Sequence, residues 1–333
     1  MFTFLKNNRR AIVYTVALLG IGFVVGYVVK PSQIVSSKAI RENTNKYTFI
    51  HPLLAVNRQD DTPSPQFNDL YNSVDKLIDQ KKKTTSLIDS SVYFISYDKN
   101  NGSFAINQDQ KYSPASLLKV VIMIAYLKKS ETYQNILNQK IVYTATIEQT
   151  LEKVPFETPS NLMIGQSYSF SELINRMIVD SDNGAKNILL SHIEDEYLNQ
   201  VYSDLNLKGP SDNTDYTISV KDYALFLRVL FNATYLSDVN SEKALAILSK
   251  ATFDKGLSIG VPSGTVIAHK FGEHINGKND SIDSIELHDC GIVYYPKNPY
   301  LVCVMTRGKD IKVLQNTIGE ISKTIYDFVS KQN

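Results

Sequence analysis

The longest uninterrupted apolar stretch of the chain runs from Ala11 to Val29, "AIVYTVALLGIGFVVGYVV", with no charged residue. As a helix it would span roughly 28 Å, about the hydrocarbon thickness of a bilayer. Lys6, Arg9 and Arg10 precede it, so the basic end should stay in the cytoplasm and everything beyond residue 29 should face outward. Residues 1–10 are read as a cytoplasmic basic segment and 11–29 as a transmembrane signal-anchor in the cell membrane. The competing reading is a signal peptide cleaved near "VSSKA", residues 35–39, although such a peptide normally has a shorter apolar core.

Residues 30–65 keep no sustained period and end in "RQDDTPSPQ", which reads as an extracytoplasmic linker. Periodicity resumes at residue 66 and continues to 333. Phe67, Leu70, Val74, Leu77 and Ile78 fall at helical spacing. "SVYFISYD" and "SFAINQDQ" flank "KNNG" and predict a hairpin. "YSPASLLKVVIMIAYLKKS", residues 112–130, reads as one helix that is apolar on almost every side. Helical patterns follow in "SFSELINRMIVDS", "NGAKNILLSHI" and "ISVKDYALFLRVLFNATYL". Strands return in "GTVIAHKFGE", "IELHDCGIVYYP" and "PYLVCVMTRG", before a closing amphipathic helix in "IKVLQNTIGEISKTIYDFVSK". Strands at both ends with helices between them predict an α/β domain of α+β sandwich type. Its antiparallel sheet is built from both ends of the domain and completed by a mostly helical subdomain.

Composition narrows the partners. The chain has 333 residues, 43% of them hydrophobic, enough for a well-buried core. Lys+Arg 35 against Asp+Glu 34 leaves a net charge of +1, so no basic footprint for nucleic acid is present. A monomer is expected. His274, His288 and Cys290 are the nearest approach to a metal cluster, but they lack zinc-site spacing and no His-Glu-x-x-His occurs, so no metal or other cofactor is expected. The cysteines, Cys290 and Cys303, lie in a hairpin read as turning at Lys297-Asn298, with Tyr295 opposite Tyr300. That register sets Cys303 against Ile292 and Cys290 against Met305, leaving the cysteines diagonal at roughly 7–8 Å. The expectation is two buried thiols, because an unstrained disulfide needs a closer pair.

The chemistry starts with Ser116 and Lys119. A serine at a helix start meets free backbone N–H groups and the positive end of the dipole. A lysine three residues on shares its face. Buried in an apolar run, that amine loses basicity and can take the hydroxyl proton, which pairs a nucleophile with a base. A serine cap with a snorkelling lysine would give the same tetrapeptide, but Lys119 sits inside the apolar run and not on a polar face. Two further motifs follow in order: Ser181-Asp182-Asn183 between two helical patterns, and Lys270-Phe271-Gly272 at the end of a strand.

Together with "PSGTVIAHK", these motifs resemble those of the class A β-lactamase-like serine hydrolases, in the β-lactamase and penicillin-binding-protein superfamily, over roughly residues 67–332. The resemblance implies Ser116 as acyl-accepting nucleophile, Lys119 as its base and Ser181 as proton relay to the leaving group. It further implies Asn183 on the substrate amide and Lys270 as a positive charge near Ser181 and the substrate carboxylate. Phe271 and Gly272 would lie on the substrate-binding strand, and the backbone N–H groups of Ser116 and Glu273 would form an oxyanion hole. A second Ser-Asp-Asn, residues 211–213, sits in a polar loop and reads as a turn.

Two departures bear on activity. Phe271 stands where the family has a hydroxyl residue that helps hold the substrate carboxylate. The loop "NLKGPSDNTDYTISVKDYALF" is short and lacks the family's water-activating glutamate, with Asp212 and Asp215 as the carboxylates in its turn. The implied function is acyl transfer through a Ser116 ester on β-lactams, with hydrolysis as in a β-lactamase. The first alternative is a penicillin-binding-protein-like D-alanyl peptidase or transpeptidase acting on cell-wall peptides. The second is a non-catalytic wall-binding or regulatory module.

Overall fold

Apolar segments from both ends of the domain form a five-stranded antiparallel sheet. In the computed structural model its strands are β1 (Leu87–Ser96), β2 (Ser103–Ile106), β3 (Ile267–Asn276), β4 (Ser284–Val293) and β5 (Tyr300–Gly308), in spatial order β2-β1-β5-β4-β3. The helices are α1 (Asn68–Thr84), α2 (Lys119–Thr132), α3 (Phe170–Val179), α4 (Asn183–Ser191), α5 (Asp195–Asp204), α6 (Val220–Phe231), α7 (Asp238–Leu248) and α8 (Ile311–Ser330). The structure describes residues 40–42, 46–55, 64–97, 102–144, 156, 160–210, 215–277 and 282–332. The predicted cytoplasmic segment, the predicted anchor and the second Ser-Asp-Asn lie outside the described residues. Among the described residues, no helix is long and apolar enough to cross a membrane.

Both faces of the sheet are covered, so its central strands read as apolar runs with little alternation. In β5 the residues from Tyr300 to Met305 are all buried. One face packs on α1 and α8 through Val74, Ile78, Ile321 and Ile325, joined by Phe94 and Val302 of the sheet. The other face packs on the helical layer, where α2 is buried from Lys119 to Leu127. A helix wrapped on all sides by protein has no need of a polar face, which explains its uniform composition.

Three sequence expectations are corrected. First, residues 112–130 are not one helix. Lys111–Tyr112 pairs with Ile218–Ser219, and a 3₁₀ turn at Ala115–Leu118 precedes α2. Second, Cys290 and Cys303 are disulfide-bonded. Val293 pairs with Tyr300, so residues 294–299 connect the strands and the cysteines stand directly opposite each other. Third, part of the stretch read as linker is docked. The Glu242 carboxylate accepts from the backbone N–H groups of Thr48, Phe49 and Ile50, while His51 N and Leu53 N donate to the Phe231 and Asn232 carbonyls. Backbone docking of this kind leaves no periodic trace in side-chain hydrophobicity.

Candidate active site

The 3₁₀ turn that carries Ser116 is set up by its lead-in. Glu286 accepts from Ser113 N at 2.8 Å, and His288 Nε2 lies 3.0 Å from Ser113 O. Burial works to raise the Glu286 pKa, but His288 and Arg307 prevail and hold it at about 2. A fixed charge on β4 thus anchors the chain three residues before the serine. Ala115 then takes φ 47°, a left-handed conformation that costs a residue with a Cβ on the order of 1–3 kcal/mol and is held by its surroundings. Ser116 follows, half-buried at the wall of a cleft.

Lys119 opens α2 with its side chain 1% exposed, which makes its partners decisive. Its amine donates to Ser181 O at 2.5 Å, Ser181 Oγ at 2.9 Å and Asn183 Oδ1 at 2.8 Å. Ser181 is itself left-handed, at φ 56°. Asp182 caps α4 by accepting from Ala185 N at 3.1 Å, and its other oxygen accepts from Ser160 Oγ at 3.0 Å. Each residue of the Ser-Asp-Asn motif therefore has a distinct job: hydroxyl bridge, helix cap and amine acceptor.

From the sheet side, Lys270 on β3 donates to the same Ser181 Oγ at 3.0 Å and to Phe271 O at 3.1 Å. Burial pushes the Lys270 amine down to about 7, against the opposing charges of Asp289 and Glu273. Asp289 is fully buried. It faces His269 Nδ1 at 2.8 Å and accepts from Leu257 N at 2.8 Å. An amine titrating near neutrality can carry a proton in either direction through the Ser181 hydroxyl.

The cleft encloses about 720 Å³, and its walls include Ser116, Lys119, Ser181, Asn183 and Glu273. Lys270 reaches Ser181 from behind that wall, 1% exposed. Phe271 is turned away into the core. It stacks on Phe253 at 3.9 Å, meets Phe156 edge-on at 6.4 Å, and places its ring 4.1 Å from the Lys270 amine. Gly272 presses on the 3₁₀ turn that carries Ser116. A Cβ there would lie 2.7 Å from Pro114 O.

Several groups at the site carry no motif. Glu273 is among the residues lining the cleft, and its carboxylate accepts from Phe156 N at 3.0 Å through both oxygens. Burial raises it to about 7, partly offset by the Phe156 amide and by Lys270 and Lys119. Asp195, Lys186 and His274 also line the cleft, whereas Asp215 is exposed. The Glu286–His288 support did leave a sequence signal: two polar residues at period 2 in the apolar strand "IELHDCGIV".

Comparison with known proteins agrees with this geometry. The model of the β-lactamase enzyme family matches residues 69–329. PBP-A is similar in structure, with TM-score 0.65 and 20% identity over 81% of this chain and 100% of that one. A variant of PBP-A solved as an acyl-enzyme complex with penicillin G gives TM-score 0.66 and 21% identity, over 82% of this chain and 100% of that one. A β-lactamase from Sphaerobacter thermophilus gives TM-score 0.63 and 20% identity, over 81% of this chain and 98% of that one.

Proposed function

The chain belongs to the β-lactamase enzyme family and is a serine hydrolase, and from that premise we propose that it opens β-lactam-type amides through an acyl-enzyme on Ser116. The observation that carries this reading is the Ser181 hydroxyl, held at 2.9 Å by Lys119 and at 3.0 Å by Lys270 beside the cleft that Ser116 lines. Lys119, in its neutral amine form and with one of its three donor contacts given up, takes the Ser116 proton as Oγ attacks the carbonyl carbon. The Ser116 and Glu273 N–H groups receive the developing oxyanion, each such donor contributing about 3 kcal/mol to the barrier reduction. As the C–N bond breaks, Ser181 gives its proton to the leaving nitrogen and recovers one from a lysine. Water then cleaves the Ser116 ester, regenerating the hydroxyl and releasing the acid.

A second reading has its own support. Among the described residues of the cleft the carboxylates are Asp195 and Glu273, and neither comes from the loop between α5 and α6. An ester without a dedicated water-activating group there persists, which suits a D-alanyl peptidase or transpeptidase working on cell-wall peptides. Both readings place the domain outside the cytoplasm, tethered by residues 11–29. The apolar run itself and the Cys290–Cys303 disulfide, which belongs to oxidising compartments, support that placement.

The test is time-resolved intact mass of the full chain mixed with benzylpenicillin, with Ser116→Ala as control. An adduct that forms and decays, leaving opened penicillin, is the expected result. A persistent adduct selects the peptidase reading. No adduct on Ser116 would overturn the β-lactam assignment.

A further inference from the structure

Asp289 is a buried carboxylate that the acyl-transfer chemistry leaves unused. It lies on the sheet face that packs on α1 and α8, opposite Phe271 of β3 and Val304 of β5, both part of that apolar core. A fully buried carboxylate in such surroundings is costly unless it is partnered. Its partners are His269 Nδ1 at 2.8 Å and the Leu257 N–H at 2.8 Å. The room for it is built in, because a Cβ on Gly256 would stand 2.2 Å from Asp289 Oδ2. Lys270 sits between the two β3 residues that meet this carboxylate, His269 by hydrogen bond and Phe271 by register. The Lys270 side chain leaves on the other face, where Cys290 is its cross-strand partner. Its amine then closes back on Phe271, 3.1 Å from the carbonyl oxygen and 4.1 Å from the ring centre. Amine and carboxylate, both buried, thus flank one residue of the edge strand.

We propose that Asp289 is a positioning residue for the acyl transfer: fixed by His269 and Leu257, its carboxylate is the counter-charge that keeps a proton on the Lys270 amine, ready for Ser181. Burial drives that amine toward neutrality, and of the charges that oppose this Asp289 acts most strongly, ahead of Glu273 on the same strand. The other titratable groups facing the pair are Lys119 of α2, across the Ser181 hydroxyl, and Tyr223 of α6, whose own hydroxyl is raised by burial and then by Asp289. The role rests on the Ser116 acyl-enzyme reading. When Ser181 gives its proton to the leaving nitrogen, the Lys270 ammonium, 3.0 Å away, returns one to Ser181 Oγ and becomes neutral. Lys119 has meanwhile gained the Ser116 proton, and passing it through the same hydroxyl restores both amines. Asp289 does not line the cleft and acts only through Lys270.

Asp289→Asn tests this in the full chain, since the amide keeps an oxygen for Leu257 N and loses the charge. Asp289→Ser does the same with a smaller side chain where the amide impairs folding. Carbon NMR of protein labelled at lysine Cε reads the amine directly, with the Lys270 signal assigned by its loss in Lys270→Arg. Its midpoint, near 7 in wild type, should fall by about one pH unit or more, the effect of removing an opposite charge at close range. The high-pH limb of benzylpenicillin acylation should move down with it. Asp289→Glu, which keeps the charge, should hold both midpoints near the wild-type value. A purely structural role would lower the rate at every pH and leave the midpoints in place, and that result overturns the proposal. A shifted Lys270 midpoint with an unshifted rate profile also overturns it, since the amine would not be supplying the proton. If the midpoint falls but no adduct forms on Ser116 even in wild type, the acyl-enzyme reading fails and the Asp289–Lys270 pairing stands.

Discussion

Lys119 and Lys270 donate to one oxygen, Ser181 Oγ, from opposite sides of the molecule: Lys119 from the first turn of α2, Lys270 from β3. Two amines sharing an acceptor lie within about 6 Å of each other, where two positive charges in a buried site repel strongly. Burial already drives Lys270 toward its neutral form near pH 7. In the proposed mechanism the hydroxyl between them serves as the proton conduit, with a poised amine at one end.

Ser181→Ala removes that conduit and leaves the nucleophile and its base in place. Acylation by benzylpenicillin should slow by about a hundredfold to ten-thousandfold, the usual loss when a positioned proton-transfer group is removed. Because Ser181 is at φ 56°, Ser181→Gly is the informative companion: it relieves the backbone and still lacks the hydroxyl. Equal slowing in both variants assigns the effect to the proton path. Recovery in the glycine variant would assign it to backbone strain.

Glu273 should give stability an unusual pH dependence. Burial raises its folded-state value from 4.5 to about 7, so between those values the folded state holds a proton that the unfolded chain has released. Stability contributed by this group is present below the unfolded value and lost as pH rises toward 7. Glu273→Gln, which cannot ionise, should therefore gain in Tm relative to wild type as pH rises from about 4.5 to 7. Lys270 acts in the opposite sense higher up. Its folded value lies near 7 against 10.5, so wild-type stability recovers above pH 7. Parallel Tm curves for wild type and Glu273→Gln across this range would contradict the assignment.

Cys290 and Cys303 pair across β4 and β5, thirteen residues apart in sequence. Closing a loop of that size stabilises a fold by about 3 kcal/mol in the chain-entropy account. Cys290→Ala/Cys303→Ala should lose about that amount in urea denaturation, with a further contribution from the cavity left in a fully buried site. Wild-type protein under reductant should show the first loss without the second.

Residues differ in how far the sequence exposed their roles. Ser116, Lys119, Ser181 and Asn183 stand out from local pattern, a serine and lysine one turn apart and a polar triplet between two helices, and the structure brings all four to one cleft. Lys270 stands out as the end of a strand pattern, but β3 continues past it to Asn276, so it lies inside the strand. Glu286 holding Ser113 and Asp289 facing His269 depend on how β3, β4 and the nucleophile turn lie against one another, and register between strands is not written in either strand alone. The cysteines show the cost. Placing the turn at Lys297-Asn298 instead of across residues 294–299 shifted the register by two. Every side chain stayed on its correct face, but bonded partners became diagonal neighbours. The docking of residues 46–55 was invisible for a different reason, since three of its hydrogen bonds run from backbone N–H groups to one carboxylate.

Gly272 offers the sharpest separation of folding from catalysis. It sits in β3 opposite His288, in a strand whose neighbours carry side chains. The reason for glycine is the approach of the nucleophile turn. An added Cβ would lie 2.7 Å from Pro114 O, 3.0 Å from Leu117 Cγ and 3.1 Å from Leu117 N. Two of those three atoms are backbone, so a rotamer change cannot relieve the contact, and either the strand or the turn must move. The sheet is the stiffer partner, because β3 is paired with β4 along its whole length. The turn should give way, carrying Ser116 away from Lys119 and from the Glu273 N–H. A displacement approaching 1 Å at a reacting group costs about a hundredfold in rate. Gly272→Ala should thus keep a cooperative unfolding transition and lose about two orders of magnitude in acylation. Wild-type acylation in a folded Gly272→Ala protein would show that the β3–turn contact does not set the position of the nucleophile.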